Sequence, residues 1–176
     1  DAKTNLQMRF WTKLEESLDQ MFKNFPDLKY RKTDRDEDLG PFNPWYSETI
    51  IKNFYYRAKK SSYFGIIYSL GQVKDIGELF LKFEYDRNWY LYYGLRLQIK
   101  NINTESKSYE LLKNKLRKSD FKFSDWWLGW KSIKANEKDI NFTDVDPDLV
   151  YILMDDNKLN DLIKKITKEV EAFIHI

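Results

Sequence analysis

The sequence predicts an α+β fold: a mainly antiparallel sheet of about five strands with amphipathic helices packed on it. Two neighbouring runs, residues 79–86 and 89–100, alternate their side chains with period two across a tight turn. Segments at both ends of the chain place apolar residues at spacings of three and four. The elements follow as helix, strand, helix, a run of strands, helix, strand, helix. Aromatic residues make up 17% of the chain, which suits a well-packed sheet with an aromatic-rich face.

Residues 6–25 read as the first helix, with Leu6, Phe10, Leu14, Leu18, Met21, Phe22 and Phe25 on one side and Arg9, Lys13, Glu15, Glu16 and Asp19 mostly opposite. Pro26 stops it. A short strand is expected over 28–32. Residues 33–44 form a loop, because Asp34, Asp36, Glu37 and Asp38 crowd together before Gly40, Pro41 and Pro44. Ser47 is a good N-cap for a helix reaching about Lys60, with Glu48 in the first turn; the Ile, Phe and Tyr content of the segment leaves a strand as the alternative.

Residues 63–70 are apolar on both alternating sets, the mark of a strand covered on both faces. In the next run Leu79, Leu81, Phe83 and Tyr85 alternate with Phe80, Lys82, Glu84 and Asp86. Across Asp86-Arg87-Asn88, Trp89, Leu91, Tyr93, Leu95, Leu97 and Ile99 alternate with Tyr90, Tyr92, Gly94, Arg96, Gln98 and Lys100. The pair reads as a hairpin with one buried and one mixed face, its register held because a one-residue slip would expose the whole apolar set. Leu81, Phe83, Leu91, Tyr93 and Leu95 are expected in the core against the first and last helices.

Ser106 caps a helix through about Lys118, turning Tyr109, Leu112 and Leu116 inward. Residues 126–130 give another strand, and 136–146 are polar and turn-rich. Asp146-Pro147 opens a further helix, with Pro at its first position. Asp156 or Asn157 caps the last helix, whose inner face is Leu159, Leu162, Ile163, Ile166, Val170, Phe173 and Ile174. Residues 1–176 are thus read as one α+β domain.

The net charge of +2 permits nucleic-acid contact without arguing for it. Without Cys there are no disulfides, thiolate nucleophiles or Cys-based metal sites. That composition suits the cytoplasm, the expected compartment, without forbidding export. No run of about 18 apolar residues exists to span a membrane, so no membrane partner is expected. The opening Asp1-Ala2-Lys3-Thr4-Asn5 has no initiator Met and no signal-peptide core, from which a piece of a longer chain is expected.

His175 is the only His and stands next to the last residue, a poor place for a general base. Asp34, Asp36 and Asp38 have the odd spacing of a calcium loop, but Leu39 and Trp45 occupy the positions that require Gly and Glu. Metal-dependent nucleases of the PD-(D/E)XK type need an acid on one strand and D/E-x-K on the next. Pro147-Asp148 with Asp156-Asn157-Lys158 matches this as a string, but seven residues between the acids are too few for two strands and a turn. No Gly-rich phosphate loop is present, and no carboxylate pair stands out. No catalytic, cofactor-binding or metal-ligating residue is therefore assigned, and no cofactor is expected.

Phe80, Lys82, Tyr90, Tyr92, Arg96 and Lys100 remain as a candidate interaction surface on the second face of the hairpin. Aromatic rings interleaved with cations can stack bases; equally, a helix packed over that face would leave the cations at its rim. Trp126, Trp127 and Trp130 can bind a sugar or peptide or staple the sheet to helices. The basic run 55–60 suits phosphate contact or a solvated helix end.

Phe10-Trp11-x-x-Leu14, Tyr63-Phe64-Gly65-Ile66, the strand over 79–85, Tyr92-Tyr93-Gly94-Leu95 and a closing Leu/Ile helix occur in that order. The series resembles the C-terminal region of uncharacterised bacterial proteins whose N-terminal part looks like a PD-(D/E)XK nuclease, proteins often linked to defence or mobile elements. The resemblance spans most of the chain through short aromatic motifs. It implies an accessory domain carrying no catalytic residue, since the acid and D/E-x-K set belongs to the other domain.

The expected function is a non-catalytic accessory or interaction domain of a larger bacterial protein, with a protein partner or the rest of its own chain as ligand and nucleic acid as a further ligand class. The alternatives are a divalent-metal nuclease in its own right and, behind it, a small-molecule-binding enzyme.

Overall fold

The computed structural model describes residues 1–33, 45–56, 63–73, 75–97, 104–125 and 127–174. Five strands form one antiparallel sheet in sequence order: β1 (Arg31–Lys32), β2 (Tyr63–Val73), β3 (Gly77–Asp86), β4 (Tyr90–Leu97) and β5 (Trp127–Ser132). The helices are α1 (Ala2–Phe22), α2 (Glu48–Tyr56), α3 (Lys107–Lys118), α4 (Pro147–Met154) and α5 (Asp156–Ile174). Between β5 and α4, β6 (Lys134–Ala135) and β7 (Lys138–Asp139) pair as a separate ribbon. Asn136 and Glu137 turn it with φ of 50° and 64°, the left-handed pair of a type I′ turn. The architecture is α+β, as the sequence predicts.

One sheet face carries the core. Phe64, Ile66 and Tyr68 of β2, Leu81, Phe83 and Tyr85 of β3, and Leu91, Tyr93 and Leu95 of β4 are buried with Phe10, Trp11, Leu14 and Leu18 of α1 and Ile166, Val170 and Phe173 of α5. Helix α1 lies against α2, α4 and α5. The rings interlock: Phe83 stacks on Tyr93 at 5.0 Å, Tyr93 on Phe173 at 6.1 Å, and Trp11 meets Phe64 edge-on at 5.9 Å.

Polar tips inside this core are paired. The Trp11 indole donates to Gln7 Oε1 at 3.0 Å, Gln7 Nε2 donates to the Tyr55 hydroxyl at 2.9 Å, and that hydroxyl donates to the Phe142 carbonyl at 2.6 Å. Burial pushes the Tyr55 hydroxyl up to about 12. Tyr93 donates to Glu169, which also pairs with Lys131, and Tyr68 donates to Asp19 at 2.8 Å. Burial first, and then the adjoining carboxylate, hold both hydroxyls well above the usual tyrosine range.

The predicted hairpin is observed, running from Leu79 opposite Leu97 to Asp86 opposite Tyr90. Asp86 Oδ1 accepts from the amides of Asn88 at 2.6 Å and Trp89 at 3.1 Å, closing an Asx-type turn. Tyr90 then takes a left-handed φ of 62°. Trp89, expected at the start of the strand's buried set, belongs instead to the turn and is exposed.

Other boundaries move for local reasons. Helix α1 begins at Ala2 rather than Leu6, because Asp1 caps it and the buried polar side chains of Thr4 and Gln7 break the apolar pattern. It ends at Phe22, before Phe25. Only Arg31–Lys32 of the expected 28–32 strand pairs with β2. Glu48–Tyr56 is helical, Ser47 Oγ accepting from the Ile50 amide at 3.1 Å as its cap, so the strand alternative is set aside. Ser106 and Asp146 cap α3 and α4 as expected. The cap of α5 is Asp155, whose carboxylate accepts from the Lys158 amide at 2.9 Å, rather than Asp156 or Asn157. The acidic loop over 34–44, residues 57–60, Trp126 and His175 lie outside the described residues.

Candidate interaction surface

The second sheet face gathers the residues singled out from the sequence. Phe80 stands opposite Arg96, Lys82 opposite Gly94, Glu84 opposite Tyr92, and Arg96 opposite Trp127 on β5. They are not accessible. Lys82 is 1% exposed, Glu84 5% and Arg96 7%, while Phe80 and Tyr92 are buried and Tyr90 is half-buried. Lys100 lies outside the described residues. Its described residues therefore offer no open stacking platform, and Lys82 and Arg96 are enclosed rather than placed at a rim.

Local chemistry makes that burial tolerable. Lys82 Nζ lies 3.0 Å from Glu84 Oε1, two residues along the same face of β3. It also lies 5.9 Å from the Tyr63 ring centre and 5.8 Å from that of Trp127. The Arg96 guanidinium sits 5.5 Å from the Trp127 ring. Trp127 and Trp130 each meet Tyr92 edge-on, at 5.7 and 6.0 Å. These two tryptophans therefore pack β5 against the neighbouring strand β4, rather than stapling the sheet to a helix as one of the two expected roles had it. Burial raises the Glu84 carboxyl above its ordinary value, against the pull of Lys82 and Arg96.

The nuclease-like string has no strand to stand on. Asp148 lies in the first turn of α4 and Asp156 opens α5. Asp156 is paired with Arg9 of α1, whose hydrogen bond holds its carboxyl below the usual range, and Arg9 Nε also donates to the Leu153 carbonyl at 2.8 Å. Asp148 lies 4.0 Å from Lys138. Acids at these helix starts complement the helix dipoles. Among the described residues no group of three or more His, Asp or Glu is placed to hold a metal ion.

Two of the exposed large apolar side chains lie together on α4. Leu149, Ile152 and Leu153 face the core, while Tyr151 is 58% and Met154 65% exposed. With Val145, Pro147, Val150 and Asp155 they line an open hollow of about 670 Å³. Tyr151 is also one wall of a polar cleft of about 300 Å³ bounded by Lys134, Asn136, Asp148, Lys158, Asp161 and Lys165. Lys158 Nζ lies 5.1 Å from the Tyr151 ring centre. The sequence carried a sign of this surface: residues 149–154 are six consecutive apolar residues, and one helix cannot turn all of them inward.

Comparison of the chain with protein families, curated proteins and solved structures finds no match. Among the described residues, no helix is long and apolar enough to cross a membrane.

Proposed function

We propose that this chain is a non-catalytic interaction domain, an accessory module of a larger cytoplasmic bacterial protein with a nuclease-like part. Its ligand is a protein surface, from a partner or from the rest of its own chain. The observation that carries this reading is the exposed apolar face of α4. A helix that is apolar nearly all round belongs in an interior, and large apolar side chains left together at a surface mark a docking site. The acids that would serve phosphodiester cleavage are engaged as helix-start charges and ion pairs, which supports the non-catalytic side of the proposal.

The test is incubation of the purified chain with single- and double-stranded DNA and RNA in Mg²⁺ or Mn²⁺. Intact substrate is expected. Cleavage that disappears in Asp148→Ala or Asp156→Ala would overturn the proposal; cleavage that survives both changes is a contaminant's.

A further inference from the structure

Helix α3 concentrates positive charge. Lys107, Lys113, Lys115, Arg117 and Lys118 stand on it against Glu110 alone, a net charge of +4 where the whole chain carries +2. Helices α1, α2 and α5 balance their charges, and α4 carries −1. Lys122, just beyond α3, adds a sixth cation, while Glu105, Asp120 and Asp125 are the acids in the flanking turns. Helix stability does not account for the pattern. Cations in the last turn suit the helix dipole, but Lys107 stands in the first turn, at the positive end. Lys113 with Arg117, and Lys115 with Lys118, place like charges at helical spacings where they repel.

The fold fixes these cations at its surface. Tyr109, Leu112 and Leu116 are buried and Leu116 lies against Gly129, so α3 is seated on β5 with Lys107, Arg117 and Lys118 exposed. Lys113 Nζ and the Arg117 guanidinium lie 5.4 and 5.3 Å from the ring centre of half-buried Phe123. Lys122 and Trp130 exchange two backbone hydrogen bonds of 2.8 Å, which sets the Lys122 ammonium 5.2 Å from the Trp130 ring centre. A ring face steadies a cation without neutralising it. Among the described residues no carboxylate pairs with Lys113, Arg117 or Lys122. Glu169 of α5 is engaged with Lys131 and Tyr93.

We infer that α3 and Lys122 grip the phosphate backbone of a nucleic-acid duplex without reading its sequence. This second surface goes beyond the protein-docking face and uses none of the α4 residues. A duplex presents about one negative charge per 1.7 Å of its axis, and binding cations release its condensed counterions. Single strands are held largely by bases stacked on open rings. Here Tyr109 and Phe121 are buried, while Phe123 and Trp130 are half-buried with a cation over each ring. A membrane surface calls for an apolar face beside the cations, and the outward side of α3 offers Leu111 alone.

The probe is a short dye-labelled DNA duplex, titrated with the full chain in EDTA and followed by fluorescence anisotropy. Two duplexes of unrelated sequence should bind alike, with log K falling against log salt at a slope of about −3, as for roughly three neutralised phosphates. Amide chemical shifts should move over 107–124. Arg117→Gln with Lys122→Gln should weaken binding at least about tenfold and reduce the slope by about two. Lys164→Gln with Lys168→Gln removes the same charge from the exposed side of α5. That pair should change affinity by less than about twofold, since charges away from the contact are screened. Urea midpoints close to the parent's confirm that both variants fold. No binding, salt-insensitive binding, equal losses in the two double variants, or shifts centred elsewhere would overturn the inference. So would tighter binding of a single strand or of phosphatidylserine vesicles. Any of these leaves the interaction-domain reading standing, whereas Asp148-dependent cleavage removes that reading and leaves α3 untouched.

Discussion

Replacing Leu91 by Ala tests the core where the sheet is most tightly enclosed. Leu91 is fully buried on β4, opposite Tyr85 of β3, and its carbonyl accepts from the Ile133 amide at 2.9 Å. Tyr85 packs edge-on against Phe54 of α2 at 5.3 Å and tilts against Phe142, in the connection before α4, at 5.1 Å, so the ring opposite Leu91 is itself held in an aromatic cluster. The substitution removes three carbons, a transfer cost of roughly 2.4 kcal/mol at about 0.8 kcal/mol per methylene. A ring so held and a paired strand cannot close over the gap, so a cavity cost adds to this and the total reaches about 3–4 kcal/mol, within the usual range for Leu→Ala in a core. Urea denaturation followed by far-UV circular dichroism should show a lower midpoint with an unchanged slope. Leu111→Ala, on the exposed side of α3, should change stability by less than about 0.5 kcal/mol. A Leu91→Ala cost below about half a kcal/mol would mean that the assigned faces of β4 are reversed.

Two further outcomes follow from the same core. Gly94 lies where β4 and β5 approach closely, and a Cβ there would fall 1.9 Å from the Gly129 carbonyl oxygen. Gly94→Ala should therefore cost about 2 kcal/mol or more by forcing the strands apart, measured by the same denaturation. Tyr55 ionises at about 12 in the folded state against 10.0 ordinarily, so the native state keeps its proton where the unfolded chain loses it. Its contribution is present below pH 10 and is lost as pH rises toward 12. Stability measured across that window should fall less steeply in Tyr55→Phe than in the parent; equal slopes would contradict the buried placement of the hydroxyl.

The hairpin was legible because two adjacent period-two runs admit one register. The second sheet face was not legible in the same way. Lys82, Glu84 and Arg96 alternate with apolar residues as solvent-facing groups do, and nothing local shows that Tyr63 and Trp127, distant in sequence, come up to the Lys82 ammonium or that Trp127 meets the Arg96 guanidinium. Thr4 and Gln7 hid the start of α1 for the converse reason: polar side chains that find partners can be buried. Asp155, Asp156 and Asn157 are all good caps by residue type, and only backbone geometry selects Asp155. The α4 surface depends on which turn of a uniformly apolar helix meets the core, so exposure of Tyr151 and Met154 required the packed structure.

The most direct test of the account is whether Asp148 and Asp156 act as structural charges or as metal ligands. Titrating Mn²⁺ into isotopically labelled protein and following amide line widths answers this, since a bound paramagnetic ion broadens the resonances nearest to it. The account predicts weak, non-saturating broadening spread over exposed carboxylates, with no convergence on α4 and α5. Saturable broadening centred on Asp148, Asp156 and Lys158, and lost in Asp156→Ala, would contradict it and restore the metal-dependent nuclease.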